Sequence, residues 1–169
     1  MREIIKFSIV LLSITLMSAL FLALIYDITE PRIEEQRRLE EERAIEEVLP
    51  RIPATIEKIE DQDLVFYKAK DEDGSLIAYV FVARSYGYSS DINTVVSLTP
   101  DGKIIAVKIL EQRETPGIGS QISESDFLEQ FNNQDINKQF DTITGATISS
   151  EAVIDSIKKK ASEVLKYEQ

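Results

Sequence analysis

Residues 141–150, DTITGATISS, carry the side chains of this sequence that are best suited to chemistry. Gly145 can adopt a left-handed turn conformation, and the small Ala146 lets another group approach the backbone closely. The first N–H groups of a helix lack intrahelical partners and carry the positive end of its dipole. A phosphate would therefore be well placed at the start of a helix that follows residues 144–147, where Thr147 also supplies a hydroxyl.

The same residues are also compatible with a purely structural role. A Walker-type phosphate loop is excluded, because the G-x-x-x-x-G-K-[ST] spacing and its Lys are missing. A plain helix N-cap by Ser149 or Ser150, preceded by a turn, explains the composition without any ligand. On the residues alone, the phosphate site and the N-cap both remain open.

The composition of the 169-residue chain limits the kinds of reaction that its own side chains could carry out. It contains neither Cys nor His, which removes thiolate nucleophiles, Cys-ligated clusters, the commonest metal ligand and the commonest general acid or base. The formal net charge is -11, from 30 acidic and 19 basic residues, which argues against nucleic acid as a partner. We expect no catalytic and no metal-ligating side chains, so any reaction would belong to a bound cofactor.

The N-terminal residues 1–26 are predicted to be a membrane anchor. Phe7 to Tyr26 are uncharged, and a helix of that length spans about 30 Å, the thickness of a bilayer's hydrocarbon core. A cleaved signal peptide is disfavoured, because the apolar run is longer than a usual signal core and no A-x-A-like site precedes Asp27. Arg2 and Lys6 precede the run, which predicts a cytoplasmic N-terminus and an extracytoplasmic domain.

Residues 27–50 are predicted to form a helical stalk. They are rich in acidic residues, Pro31 suits the first turn of a helix, and the apolar side chains form only a thin line. We interpret this segment as a solvated helix that lifts the domain off the membrane. A helix that docks a partner is the alternative.

Residues 51–169 are predicted to be the folded domain. Strands Gln62–Lys70 and Ser75–Arg84 flank DEDG, and strands Ile92–Thr99 and Lys103–Leu110 flank PDG, so two hairpins are expected.

Two helices are predicted after these hairpins. A short one over SESDFLEQFNN would be capped by Ser123, with three apolar side chains on one face: Phe127, Leu128 and Phe131. The last segment, from about Ser149 to Tyr167, is amphipathic, with apolar residues at helical spacing: Val153, Ile154, Ile157, Ala161, Val164 and Leu165. The expected fold class is α+β, an antiparallel sheet with packed helices.

Several motifs together resemble a known family. Asp141-x-x-Thr144-Gly145-Ala146-Thr147 resembles the D-x-x-[ST]-G-A-T signature of proteins that carry covalent FMN, and Glu114 to Gly119, ETPGIG, resembles the E-T-P-G-[LI]-G run of the same proteins. A third segment, YGYSSDI, resembles G-Y-x-x-x-I, with Ser90 where the family often has Gly. The family is that of the G subunits of Rnf-type electron transport complexes, which are related to the C subunits of the sodium-pumping quinone reductase.

The resemblance implies a cofactor and its ligands. A flavin transferase would use FAD to join the FMN phosphate to Thr147 through a phosphoester. The D-x-x-T-G-A-T match carries Asp141, Thr144, Gly145 and Ala146 over as neighbouring site residues. The ETPGIG loop would lie against the isoalloxazine ring, which implies contacts from four of its residues: Glu114, Thr115, Gly117 and Ile118. Locally, Pro116-Gly117 is also a good type II turn.

The resemblance also implies partners and a role. The chain would relay electrons within an ion-translocating oxidoreductase, together with other membrane and iron–sulfur subunits in the cytoplasmic membrane. Two alternatives remain: a stand-alone flavinylated electron carrier outside the membrane, and an anchored adaptor without redox function.

Overall fold

The computed structural model describes residues 2–61 and 64–168, so the predicted strand positions Gln62 and Asp63 lie outside the described residues. In chain order the elements are α1 (Arg2–Glu47), β1 (Thr55–Asp61), β2 (Leu64–Lys70), β3 (Leu76–Tyr86), β4 (Asp91–Leu98), β5 (Lys103–Glu111), a 3-10 turn (Gly119–Ser123), α2 (Ser125–Leu128), a 3-10 turn (Glu129–Phe131), β6 (Gln134–Asp135) and α3 (Thr147–Tyr167). The chain divides into two units, one up to Glu40 and one from Glu41 onward.

The first unit consists of the N-terminal part of α1. Among the described residues α1 is long and apolar enough to cross a membrane, and its apolar side chains up to Leu39 are exposed. Pro31 lies inside α1 rather than in a first turn, because the helix already begins at Arg2. The anchor and the acidic segment that follows it therefore belong to one helix instead of two.

The second unit is built on a six-stranded sheet in the order β1-β2-β3-β4-β5-β6. Every neighbouring pair is antiparallel, which confirms the predicted α+β class. The two predicted hairpins form, with Gly74 (φ 78°) and Gly102 (φ 86°) in the left-handed conformation that their turns require. Strand β1 was not predicted, because its TIEKIED side chains are mostly exposed and its backbone pairing with β2 holds it in the sheet.

Helix α3 covers one face of the sheet. Its buried apolar side chains lie at the predicted positions Val153, Ile154, Ile157, Ala161 and Val164, and they pack in one cluster with strand residues such as Phe66, Phe81 and Ile104. Since this apolar face runs from the second turn of α3 to its last, the sheet fixes the direction of the helix.

The short helix differs from its prediction. Only Ser125–Leu128 is α-helical, and Ser123 does not cap it, since no side-chain cap hydrogen bond forms at its N-terminus. The helix ends early because Asn133 N donates to Ile104 O (2.7 Å) and β6 pairs with β5 from Gln134 on. Phe127 and Phe131 are buried in one apolar cluster and Leu128 packs against it, although Phe131 lies in the 3-10 turn rather than in the helix.

The end of α1 covers the opposite face of the sheet. Ala44, Ile45 and Val48 are buried against Val80 and Val95. The predicted solvated stalk is therefore solvated only in part. The apolar patch is too short to give a helical period in the sequence, and only the sheet reveals what it packs against.

Polar contacts fix the same junction. Ser97 Oγ donates to Val48 O (2.6 Å) and accepts from Ala106 N (3.2 Å), so it joins the end of α1 to two strands. Tyr67 OH donates to Glu41 (3.0 Å). Residues from Glu41 on therefore belong to the same compact unit as the sheet.

We predict that a fragment beginning at Glu41 is more stable than one beginning at Arg51. The difference should be on the order of 3–6 kcal/mol, because burying the side chains of Ile45 and Val48 contributes roughly 1.5–3 kcal/mol each. Urea unfolding of the two purified fragments, followed by circular dichroism, measures it. Ile45→Ala in the longer fragment is the matched control and should lose about 2–5 kcal/mol. Equal stabilities of the two fragments would contradict this packing.

Candidate cofactor site

A pocket of about 650 Å³ lies where three segments meet: the loop after β3, the loop after β5 and the start of α3. This volume is in the range of small-molecule and cofactor sites. The lining residues are Tyr88, Glu114, Thr115, Ile118, Gly119, Gly145, Ala146, Thr147, Ile148 and Ser149. Six of the predicted site residues are thus brought together, namely Glu114, Thr115, Ile118, Gly145, Ala146 and Thr147.

The N-terminus of α3 forms one side of the pocket. Gly145 has φ 86°, Ala146 is the N-cap residue without a side-chain cap hydrogen bond, and Thr147 is the first helical residue, with an exposed side chain. The first backbone bond of the helix runs from Ser150 N to Ala146 O (2.9 Å). The preceding N–H groups of the first turn are the ones that a helix leaves without intrahelical partners, and an anion is favoured there.

Ser149 and Ser150 lie inside the helix, so neither is the N-cap that a purely structural role of this stretch would need. Ser150 Oγ donates to Ala146 O (2.8 Å) and accepts from Ile143 N (3.1 Å), which ties the loop before α3 to its first turn. Ser149 Oγ instead donates to the carboxylate of Glu114 (2.8 Å). Both hydroxyls therefore shape the site rather than cap the helix.

Glu114 is a buried carboxylate, 5% exposed, at the base of the pocket. Its Oε1 accepts from Ser89 N (3.1 Å), Ser90 N (3.0 Å) and Ser90 Oγ (3.2 Å). Its Oε2 accepts from Tyr88 N (3.2 Å) as well as from Ser149 Oγ (2.8 Å). Ser90, where the family often has Gly, thus adds a hydroxyl donor that Gly could not supply.

These donors decide the ionisation of Glu114. Burial raises the pKa of this carboxyl, but the hydrogen bonds from the Ser149 hydroxyl and from the Ser89 and Ser90 amides outweigh burial, so its pKa lies below the ordinary value of 4.5. Glu114 is therefore ionised at neutral pH.

An exposed apolar rim surrounds the pocket. Tyr88, Ile118 and Ile148 are 67%, 49% and 55% exposed, although all three line it. Ile118 was a predicted site residue, whereas Tyr88 and Ile148 were not. The G-Y pair in the loop after β3 was a signal for Tyr88. For Ile148 the signal was an apolar residue in the first turn of the helix, outside the face that packs on the sheet.

Three predicted site residues do not line the pocket: Asp141, Thr144 and Gly117. Gly117 has φ 72° and Ile118 N donates to Thr115 O (3.1 Å), so Gly117 forms the predicted Pro-Gly turn. Thr144 is exposed in the loop before α3.

The backbone of Asp141 is held by a residue outside the motif. Asp141 N donates to Gln130 Oε1 (2.8 Å) and Gln130 Nε2 donates to Asp141 O (3.1 Å). Within the part of the chain that the structure describes, the carboxylate of Asp141 makes no hydrogen bond or ion pair, so it does not form an Asx turn. The exposed carboxylate is therefore available to a molecule outside the chain.

The pocket residues lie in a segment of the chain that matches a known family. Residues 87–162 match a family described as FMN-binding domain, and residues 1–48 match the RnfG N-terminal region. Two solved structures share its fold, each with a TM-score of 0.52. NqrC of Shewanella oneidensis is 19% identical, covering 71% of this chain and 72% of that one. The C subunit of the Na(+)-translocating NADH-quinone reductase of Parabacteroides distasonis is 22% identical, covering 61% of each chain.

Curated relatives match nearly the whole chain. The G subunit of the proton-translocating ferredoxin:NAD(+) oxidoreductase complex of Clostridium ljungdahlii is 30% identical, over 89% of this chain and 85% of its own length. The G subunit of the ion-translocating oxidoreductase complex of Methanosarcina acetivorans is 28% identical, over 92% of each chain. With an N-terminal region and a cofactor domain that both match, this chain belongs to the family of G subunits of Rnf-type ion-translocating oxidoreductase complexes.

Proposed function

We propose that this protein is a membrane-anchored electron relay whose FMN is joined by a phosphoester to Thr147. The observation that carries the proposal is the position of the Thr147 hydroxyl, exposed at the first residue of α3 and lining an apolar-rimmed pocket. The relatives' names supply the setting, a complex that passes electrons between ferredoxin and NAD and translocates ions.

The residues of the pocket fit FMN. The N–H groups of the first turn of α3 would stabilise the phosphate charge next to Thr147. The side chains of Tyr88, Ile118 and Ile148 would cover the apolar ring, which explains why they are exposed in the chain itself. Gly145 bears no Cβ, and an added Cβ would meet nothing within 4 Å, so this side of the pocket is open. FMN, when bound, supplies the ability to accept and donate electrons one or two at a time.

Attachment of the cofactor needs a hydroxyl that an enzyme can reach. The Thr147 oxygen would form a new bond to the FMN phosphorus of FAD, the phosphoanhydride bond would break, AMP would leave, and the hydroxyl proton would pass to solvent. A flavin transferase is the partner for this step. The exposed carboxylate of Asp141 would help to orient the hydroxyl or to place a cation, because metal ions stabilise the charge that develops in such transfers.

The membrane part of the proposal rests on α1. The anchor would place the FMN domain outside the cytoplasmic membrane, next to the other membrane and iron–sulfur subunits of the complex. Covalent attachment suits that location, since a domain outside the cell cannot draw on the cytoplasmic pool of free FMN.

Thr147→Ala should abolish covalent flavin while leaving the fold nearly intact, because an exposed hydroxyl contributes little to packing. The measurement is in-gel flavin fluorescence and intact mass after co-expression with a flavin transferase. Thr144→Ser is the matched control, since it keeps a hydroxyl at the neighbouring position, and it should be flavinylated normally. Covalent flavin retained in Thr147→Ala would contradict the assignment.

Asp141→Ala should lower the flavinylated fraction without changing the redox behaviour of flavin that is already attached. The reason is that this side chain lies outside the pocket, while the Gln130 amide holds the backbone of Asp141 independently of its carboxylate. Intact mass gives the fraction, and a redox titration of the flavinylated pool gives the potential. Gln121→Ala, which removes a side-chain bond to Gly117 O in the other loop, controls for loop damage. Full flavinylation of Asp141→Ala would assign this residue a structural role only.

Protease added to intact spheroplasts should remove the folded domain and leave a small anchored N-terminal fragment. The basis is Arg2 and Lys6 before the apolar run, which favour a cytoplasmic N-terminus. Immunoblotting with tags at both ends detects the fragments, and a cytoplasmic enzyme serves as the protected control. Digestion of the domain only after the membrane is broken open would mean the reverse orientation.

A further inference from the structure

Glu114 lines the pocket but has no free oxygen with which to bind a ligand. A carboxylate offers about four lone-pair sites, and the Tyr88, Ser89, Ser90 and Ser149 donors already contact it. A flavin N–H could bind Glu114 only by displacing one of them and leaving a buried donor unpaired. Its role is therefore different from that of a flavin ligand.

The donors to Glu114 come from two separate segments that line the pocket. The Tyr88, Ser89 and Ser90 amides belong to the loop after β3, and the Ser149 hydroxyl belongs to the first turn of α3. Tyr88 and Thr147 both line the pocket, one on each of these segments. Glu114 thus connects the loop that carries Tyr88, beside the proposed flavin ring, with the helix end that carries Thr147, the proposed attachment residue.

Two glycines fix the carboxylate in one place. A Cβ added to Gly87 would lie 2.6 Å from Glu114 Oε1, and one added to Gly119 would lie 2.9 Å from Oε2. Both distances are shorter than real Cβ contacts, so the backbone encloses the carboxylate on two sides. Only glycine at these two positions allows the backbone to approach the carboxylate this closely.

We propose that ionised Glu114 is a positioning residue of the FMN site, holding Tyr88 and the Thr147 end of α3 at a fixed separation while its charge opposes reduction of the flavin. This inference rests on the proposed attachment of FMN to Thr147. It adds a role for Glu114, and for Ser149 as its partner, that attachment alone does not require. A buried negative charge makes the arrival of an electron nearby less favourable.

Two variants of the full-length flavinylated chain separate position from charge. Ser149→Ala keeps the charge and removes one hydrogen bond, so collisional quenching of flavin fluorescence by iodide should increase while the midpoint potential stays close to the wild type. Glu114→Gln removes the charge and places an amide N–H next to the backbone N–H donors. Iodide quenching of flavin fluorescence should therefore increase, and the midpoint potential of the flavin should rise because the negative charge is gone. Glu124→Gln, which removes one exposed charge, should change neither. Unchanged quenching in both Ser149→Ala and Glu114→Gln overturns the positioning role.

Hydrogen exchange in a flavin-free chain tests the role of Glu114 independently of FMN attachment. In the flavin-free Thr147→Ala chain, adding Glu114→Gln should make the Ser89 and Ser90 amides exchange about tenfold faster, the change expected for a lost hydrogen bond to a charged group. Unchanged exchange overturns the role of Glu114 even where Thr147 carries FMN. Faster exchange supports the contacts of Glu114 by itself. If the chain that keeps Thr147 never acquires FMN, the proposed function is refuted while these contacts stand.

Discussion

A buried carboxylate must be satisfied by hydrogen-bond donors or by a cation, and the cofactor site is arranged around this requirement at Glu114. Among the described residues no Lys or Arg pairs with Glu114, so backbone amides and two hydroxyls donate hydrogen bonds to its carboxylate instead. These donors lie 24 to 35 residues away in the chain. Satisfying one charge therefore draws the loop after β3 and the start of α3 to the loop that contains Glu114.

Helix α3 performs two tasks with different faces. Its apolar face, from Val153 to Val164, packs on the sheet and fixes the helix direction. Its first turn is free of side-chain caps and presents Thr147 to the pocket. The buried face begins within two turns of Thr147, while the Thr147 side chain itself stays exposed. The end of α3 that lines the pocket is therefore directly joined to the part of the helix that packs in the core.

The opposite face of the sheet has a different cover. Ala44, Ile45 and Val48 bury Val80 and Val95, and Ser97 binds the carbonyl of Val48. The part of α1 that leads into the sheet is thus packed as core rather than as a flexible linker. Both faces of the central strands are covered, one by the helix that bears Thr147 and the other by the end of α1.

Local chemistry alone predicted much of this protein. Turn residues predicted both hairpins and helical spacing predicted the buried face of α3, because each property depends on neighbours in the chain. The residues around Gly145-Ala146 left a phosphate site and a plain N-cap both open, and only the resemblance to a family favoured the site. The sequence did not predict β1, the burial of Ile45, or the meeting of Tyr88, Glu114 and Ser149. Those depend on contacts between distant segments: β1 forms by backbone pairing with β2, Ile45 needs the sheet to pack against, and the charge of Glu114 selects donors that only the folded chain brings within reach.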